Sequence, residues 1–175
     1  MTGFLVGAVV VLTALWLLHL LVLLGVVRRL REHESRLANQ APGGSAVMTV
    51  PLGQRIPDFE TRAVDEQPVS SAGLDGPTLV GFFSPGCDAC HERLGDFRVS
   101  AAAHPGTTLA VVVRDGGDAQ ALVSELDGAG TVVVEDMGGP LTAAFGVRGF
   151  PAFASLDADR VLVAQGYEPP RPPGA

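Results

Sequence analysis

The chain has 175 residues, which is enough for one ordinary domain with an appendage. Its formal net charge of −7 disfavours nucleic acid as a partner, and the absence of lysine excludes a Schiff-base or P-loop lysine. Its two cysteines, Cys87 and Cys90, are too few for a disulfide scaffold or for a zinc site with three or four thiolates.

The first predicted element is a long apolar segment. Residues 3–27 carry no charged side chain and are rich in Leu and Val. At about 1.5 Å per residue, this length spans a hydrocarbon core of about 30 Å. The cations follow the apolar segment instead of preceding it, which argues against a cleaved signal peptide. The sequence therefore predicts a single uncleaved transmembrane helix, with the lipid bilayer as a partner.

A charged stalk completes an anchor region over residues 1–37, and a linker follows it. The stalk contains Arg28, Arg29, Arg31 and Arg36. By the positive-inside rule these arginines place the rest of the chain in the cytoplasm. Residues 38–56 combine Pro, Gly and Ser without a sustained hydrophobic period, which predicts a flexible linker.

Residues 57–167 alternate predicted strands with predicted helices, which is typical of an α/β domain with a mostly parallel sheet. Two apolar segments, 78–84 and 107–113, have the composition of strands buried on both faces. The other predicted elements are a hairpin in 58–70, a strand at 131–134, helices at 88–103, 119–126 and 141–145, and a final hairpin of 152–156 and 160–164. Residues 168–175 form a Pro-rich tail that we predict to be extended.

Cys87 and Cys90 lie directly after a predicted strand and at the start of a predicted helix. One helical turn brings two such sulfurs within bonding range, so a Cys87–Cys90 disulfide can form and break. The N–H groups and partial positive charge of a helix N-terminus favour a thiolate at the first cysteine. We therefore expect Cys87 to be the nucleophile and Cys90 the resolving thiol. Asp88 is expected to raise the pKa of the nearby thiol and so to make the couple more reducing.

Two other chemistries fit the same residues. Cys87-Asp88-Ala89-Cys90-His91 is also the attachment pattern of a covalent c-type haem, with Met137 or His104 as a second axial ligand. That alternative makes the protein an electron carrier. The thiolates together with His91 or His104 could also deliver copper. On the dithiol interpretation, which needs neither cofactor nor metal, His91 tunes the protonation of Cys90.

The segment Phe82-Phe83-Ser84-Pro85-Gly86-Cys87-Asp88-Ala89-Cys90, followed by Val147-Arg148-Gly149-Phe150-Pro151, resembles the thioredoxin superfamily. The chain is most similar to membrane-anchored redoxins of the TlpA/ResA and MauD type. The resemblance implies a thioredoxin-like fold, with a central mixed sheet flanked by helices. It also implies that Pro151 is cis and frames the groove that binds the substrate.

The chain departs from this family pattern at several positions. Gly81 stands where classical thioredoxins have a buried Asp, so we expect Glu60 or Glu92 to move protons instead. The domain ends at Tyr167 without the usual terminal helix, so the face left open must meet a partner, the membrane or the tail. A peroxiredoxin is a further alternative, but Val80 and Ser84 match only half of that motif.

The resemblance implies a membrane-tethered thiol–disulfide oxidoreductase that reduces or exchanges disulfides in an exported client protein. Such a role suits the maturation of a cytochrome or a cofactor-containing enzyme. The electron donor would be another dithiol protein of the membrane. Anchored relatives act outside the cytoplasm, where disulfides persist, so the resemblance favours an extracytoplasmic domain against the arginine count.

Overall fold

The structure is a computed structural model that describes residues 47–115 and 118–170, together with four helical residues nearer the N-terminus (Val6, Leu12, Thr13 and Trp16). Within these described parts of the chain, no helix is long and apolar enough to cross a membrane. Apart from those four residues, the predicted span at 3–27 lies outside the described residues. The arginine stalk and the last five residues of the tail lie wholly outside them.

The domain contains a five-stranded mixed sheet with the strand order β5-β4-β3-β6-β7. β3 pairs in parallel with β4, and β4 pairs in parallel with β5. β6 pairs antiparallel with both β3 and β7. The elements are β1 (Glu60–Arg62), β2 (Pro68–Ser70), β3 (Thr78–Phe83), α1 (Asp88–Ala103), β4 (Thr107–Arg114), α2 (Ala119–Glu125), β5 (Thr131–Asp136), α3 (Pro140–Phe145), β6 (Ala152–Leu156) and β7 (Leu162–Gly166). The predicted thioredoxin-like α/β fold is confirmed.

Each face of the sheet carries its own hydrophobic cluster, because side chains along a strand alternate between the two faces. Leu79 and Phe83 of β3 pack with Leu94 and Phe97 of α1 on one face, which we call the α1 face. The opposite face, which we call the α3 face, is built from the following residues among others: Val80, Phe82, Val111, Leu141 and Phe145. All six residues of β3 are buried, as expected for the central strand.

The segment before β1 packs into the domain, which differs from the predicted linker over residues 38–56. Val47, Met48 and Ile56 are buried. Met48 forms an antiparallel bridge with Val147, and the Arg148 N–H donates to the Val47 carbonyl at 2.9 Å. The compact unit begins at Ala46 instead of residue 57. The sequence did not predict this packing, because the three buried apolar residues are not periodically spaced and lie in a segment rich in Pro and Gly.

The tail runs along α1 after β7 ends. Glu168 pairs with Arg93 at 3.1 Å, and the Ser100 hydroxyl donates to the Pro170 carbonyl at 2.7 Å. Both partners belong to α1, so the first residues of the extended tail cover this helix.

Candidate active site

Cys87 and Cys90 lie at the junction between β3 and α1. The Cys87 N–H donates to the Ser84 carbonyl at 3.2 Å and closes the turn that leaves β3. Cys87 is the N-cap of α1, and its sulfur accepts the N–H of Cys90 at 3.2 Å. Cys87 is half-buried, whereas Cys90 is fully buried beneath the helix. Both cysteines are free thiols in this structure.

The two thiols differ in acidity. The hydrogen bond from the Cys90 side chain lowers the pKa of Cys87 from 9.0 to about 7, with help from the N–H groups of Cys90 and Ala89 against the effect of burial. The pKa of Cys90 is raised, first by that same hydrogen bond and then by burial. Cys87 is therefore the more acidic of the two thiols and loses its proton before Cys90 does.

Asp115 is the carboxylate that acts on both sulfurs. It follows the last residue of β4, and its charge raises the pKa of Cys87 and of Cys90. The Ser84 hydroxyl donates a short hydrogen bond to Asp115 Oδ1. The prediction that Asp88 has this effect is not supported, because Asp88 is exposed in the first turn of α1 and is not among the groups that shift either thiol pKa. Asp115 could have been found from the strand topology, because parallel β3 and β4 bring the residues that follow them to the same edge of the sheet.

Pro151 lies at the same end of the sheet as the cysteine pair. The Phe150–Pro151 peptide bond is cis, the isomer that the resemblance implies. Ala152, the first residue of β6, pairs with Phe82 near the end of β3, so Pro151 reaches the edge from which Cys87 leaves the sheet. Phe150 and Cys87 both pack against the cluster of the α1 face.

A side chain at position 81 would have to displace its aromatic neighbours. A Cβ on Gly81 would lie 2.8 Å from the rings of both Phe83 and Phe97. Of the two acids suggested as substitutes, Glu60 lies in β1 and Glu92 on the exposed surface of α1. Neither Glu60 nor Glu92 is among the groups that shift the pKa of Cys87 or Cys90, whereas the charge of Asp115 shifts both.

The histidines suggested as ligands lie at opposite ends of α1. His91 Nε2 lies 3.3 Å from the Pro85 carbonyl, and its Nδ1 lies 3.6 Å from a carboxylate oxygen of Glu125. His104 follows the last residue of α1, and its Nε2 lies 3.1 Å from the Pro77 carbonyl. Met137 is exposed in the turn after β5. In the described part of the chain, no group of three or more His, Cys, Asp or Glu side chains could hold a metal ion.

Solved structures of thiol–disulfide oxidoreductases share this fold. The thioredoxin domain of a thiol-disulfide oxidoreductase from Bacteroides vulgatus is 17% identical with a TM-score of 0.57, covering 69% of this chain and 91% of that one. A DsbF homologue from Corynebacterium diphtheriae is also 17% identical with a TM-score of 0.57, covering 75% and 90%. A secreted Mycobacterium tuberculosis disulfide oxidoreductase homologous to E. coli DsbE is 23% identical with a TM-score of 0.51, covering 65% and 85%.

No curated relative matches the chain at a significant level. The family model named Redoxin matches residues 51–175, which include the cysteine pair, Asp115 and Pro151. Since this match covers well over half of the sequence and the cysteine pair has the geometry described above, the chain belongs to the Redoxin family and is an oxidoreductase.

Proposed function

We propose that the protein is a membrane-tethered thiol–disulfide oxidoreductase that reduces or exchanges a disulfide in an exported client protein. The observation that supports this most directly is the opposite shift of the two thiol pKa values within one helical turn. An acidic outer thiol and a protonated inner thiol are what an attack followed by a resolving step requires.

In the first step, the Cys87 thiolate attacks one sulfur of the client disulfide. A Cys87–client bond forms, the client S–S bond breaks, and the second client sulfur leaves as a thiolate that takes a proton. In the second step, Cys90 loses its proton and its sulfur attacks Cys87. The Cys87–Cys90 disulfide forms, and the other client sulfur leaves as a thiol. The client gains two electrons from the cysteine pair, together with one proton from Cys90 and one from solvent, which replaces the proton that Cys87 had released on ionising.

Client capture tests this mechanism. In a Cys90→Ser variant the second step is blocked, so clients should accumulate as mixed disulfides on Cys87 that dithiothreitol releases. Cys87→Ser is the matched control and should capture none, because Cys90 is fully buried and its thiol stays protonated. Equal capture by the two variants, or by neither, would contradict the assignment. The client should be identified by mass spectrometry, and an apocytochrome or a cofactor-containing enzyme would support the proposed maturation role.

A haem-bearing electron carrier is the competing proposal, and the burial of Cys90 argues against it. A thioether to haem needs the sulfur to reach the porphyrin, whereas Cys90 has no exposed surface and packs with Phe83 and Phe97. An absorbance spectrum of the purified full chain separates the two proposals. We expect no Soret band, and a band that survives denaturation would establish covalent haem instead.

Tethering through residues 3–27 and an extracytoplasmic domain are also part of the proposal. The apolar segment supports the tether, and the secreted Mycobacterium tuberculosis oxidoreductase supports the location by analogy. Intact cells expressing the reduced chain should be treated with a membrane-impermeant maleimide, with the Cys87→Ser variant as the control. Labelling of Cys87 before lysis supports an extracytoplasmic domain, and labelling only after lysis places it in the cytoplasm, as the arginines indicate.

A further inference from the structure

The resolving step needs a proton acceptor for Cys90. This sulfur is completely buried, and its pKa is raised by burial and by its hydrogen bond to Cys87. A buried thiol at neutral pH stays protonated, yet only its thiolate can attack the mixed disulfide. Bulk water does not reach the sulfur, so an acceptor near the cysteine pair would accelerate this step.

Ser84 connects both cysteines to a carboxylate at the same edge of the sheet. Its N–H lies 3.5 Å from Cys90 Sγ, and its hydroxyl donates to Asp115 Oδ1. Ser84 is buried with 1% exposure, so its contact with Cys90 is held inside the domain, whereas Asp115 itself is exposed. A Cβ on Gly86, the residue before Cys87, would lie 3.9 Å from Asp115 Oδ1. The carboxylate therefore lies close to the turn that carries Cys87, and it is hydrogen-bonded to the residue whose N–H contacts Cys90.

We propose that Asp115, held in place by the Ser84 hydroxyl, accepts the proton of Cys90 when that thiol attacks the mixed disulfide. This inference rests on the proposed thiol–disulfide exchange. The proton leaves Cys90 for the carboxylate, the Cys90 sulfur bonds to Cys87, and the client sulfur leaves as a thiolate. That thiolate then takes the proton from Asp115, so the carboxylate is restored and no other reactant is needed.

The transfer removes the charge that opposes it. While Asp115 is ionised, its negative charge disfavours a thiolate at Cys90. Once it is protonated, that repulsion is gone, and one negative charge has moved from oxygen to sulfur without a second being created. The Ser84 N–H remains beside Cys90 Sγ to stabilise the thiolate.

The two half-reactions can be followed separately with Ellman's reagent, an aromatic disulfide whose thiol product is coloured. Cys87 attacks the reagent and releases the first coloured thiol, and Cys90 then releases the second from the mixed disulfide on Cys87. In the Asp115→Asn variant we expect a second phase slower by about 100-fold, at the lower end of what general base catalysis contributes. The first phase should become faster at pH 6, because losing the charge of Asp115 removes an interaction that raises the pKa of Cys87.

Opposite changes in the two phases are a result that a merely structural effect would not produce. Ser84→Ala keeps the carboxylate but removes its anchor, and should slow only the second phase, by less than Asp115→Asn does. Asp115→Glu should recover part of the rate. Asp88→Asn is the matched control, since it removes an exposed carboxylate from the same helix end and should leave the second phase unchanged.

The outcomes distinguish this inference from the function beneath it. If the unmodified chain releases no coloured thiol in either phase, the proposed thiol–disulfide exchange is wrong. If the unmodified chain gives both phases and Asp115→Asn keeps the second phase at its original rate, Asp115 is not the acceptor. Equal slowing by Asp88→Asn and Asp115→Asn would reduce the effect to general surface charge and also overturn the inference.

Discussion

The two faces of the central sheet have similar aromatic cores, but the cores differ in whether they contain a thiol. On the α1 face, the rings of Phe83 and Phe97 lie 5.1 Å apart, and the cluster includes Cys90. On the α3 face, Phe82 and Phe145 lie 5.3 Å apart, and the cluster is closed by α3 and the segment before β1. Only the α1 face places a thiol in its core.

Two acids near the ends of β4 and β5 differ in their surroundings. Glu135 in β5 is buried, and its two oxygens accept the N–H groups of Leu141 and Thr142 at 3.0 and 2.6 Å. Glu135 therefore caps the N-terminus of α3, and these hydrogen bonds satisfy its buried carboxylate. Asp115, one strand away, is exposed and is held by the Ser84 hydroxyl. An enclosed carboxylate stabilises a helix start, whereas an exposed one beside a thiol can exchange protons.

The largest expected effect comes from truncating one aromatic ring on each face. Phe97 and Phe145 are both completely buried, so Phe97→Ala and Phe145→Ala should each lower the free energy of unfolding by about 3–5 kcal/mol. Only Phe97→Ala should also open Cys90 to alkylation, because Phe97 packs in the cluster that contains this thiol. Denaturant unfolding and alkylation of the native, reduced protein measure the two effects. Equal exposure of Cys90 in both variants would show that the faces are not independent.

A smaller effect is expected where the α1 face is tightest. A Cβ on Gly81 would lie 2.8 Å from two phenylalanine rings, so Gly81→Ala should destabilise the domain by about 1–3 kcal/mol. Gly95→Ala is the matched control on α1, since nothing lies within 4 Å of its added Cβ and alanine favours a helix by up to about 1 kcal/mol. Thermal unfolding of the two variants should shift in opposite directions. An unchanged melting temperature in Gly81→Ala would mean that the rings of Phe83 and Phe97 can move to accommodate the added methyl group.

Much of the fold was predictable because its signals are local. The apolar segments gave β3 and β4 within one residue of their observed ends. β5 extends two residues beyond the predicted strand, since Glu135 and Asp136 pair with Val113 and Arg114 despite their polarity. The last strand begins at Leu162 instead of Arg160, because the Asp157 side chain accepts the N–H groups of Asp159 and Val161 and lengthens the turn.

The candidate site was predictable only where its residues are adjacent in the sequence. The spacing of Cys87 and Cys90 located the pair at a strand–helix junction, and the resemblance located Pro151. The acid that acts on the thiols was assigned to Asp88, its neighbour in the chain, whereas Asp115 reaches them through the parallel pairing of β3 with β4. The hydrogen bond that holds Asp115 at the site joins it to Ser84, 31 positions earlier, and a contact over that separation cannot be recognised from local composition.

The two cysteines, which both belong to the α1 face, should make the free energy of unfolding depend on pH above about pH 7. The pKa of Cys87 falls from 9.0 to about 7 on folding, so its contribution is absent below pH 7 and grows as the pH rises to 9. The pKa of Cys90 is raised, so above pH 9 the unfolded thiol ionises first and stability falls. Each slope is at most about 1.4 kcal/mol per pH unit, and solvent screening lowers it for Cys87.

Unfolding of the reduced protein should therefore show a stability maximum near pH 9. A Cys87→Ser/Cys90→Ser variant is the control for all other titrating groups, so the difference between the two profiles is the quantity to compare. The same profile in both proteins would contradict the assigned thiol pKa shifts.

The smallest expected effect comes from the contacts between the tail and helix α1. Ending the chain at Tyr167 removes the exposed Arg93–Glu168 ion pair and the acceptor for the Ser100 hydroxyl. An exposed pair contributes at most about 1 kcal/mol, and a single hydrogen bond contributes about the same, so we expect a loss of about 1 kcal/mol in the free energy of unfolding. Ser100→Ala separates the two contributions, because it should cost less in the shortened chain than in the full one. A cost that is equal in both chains would mean that Pro170 does not bind Ser100 in solution.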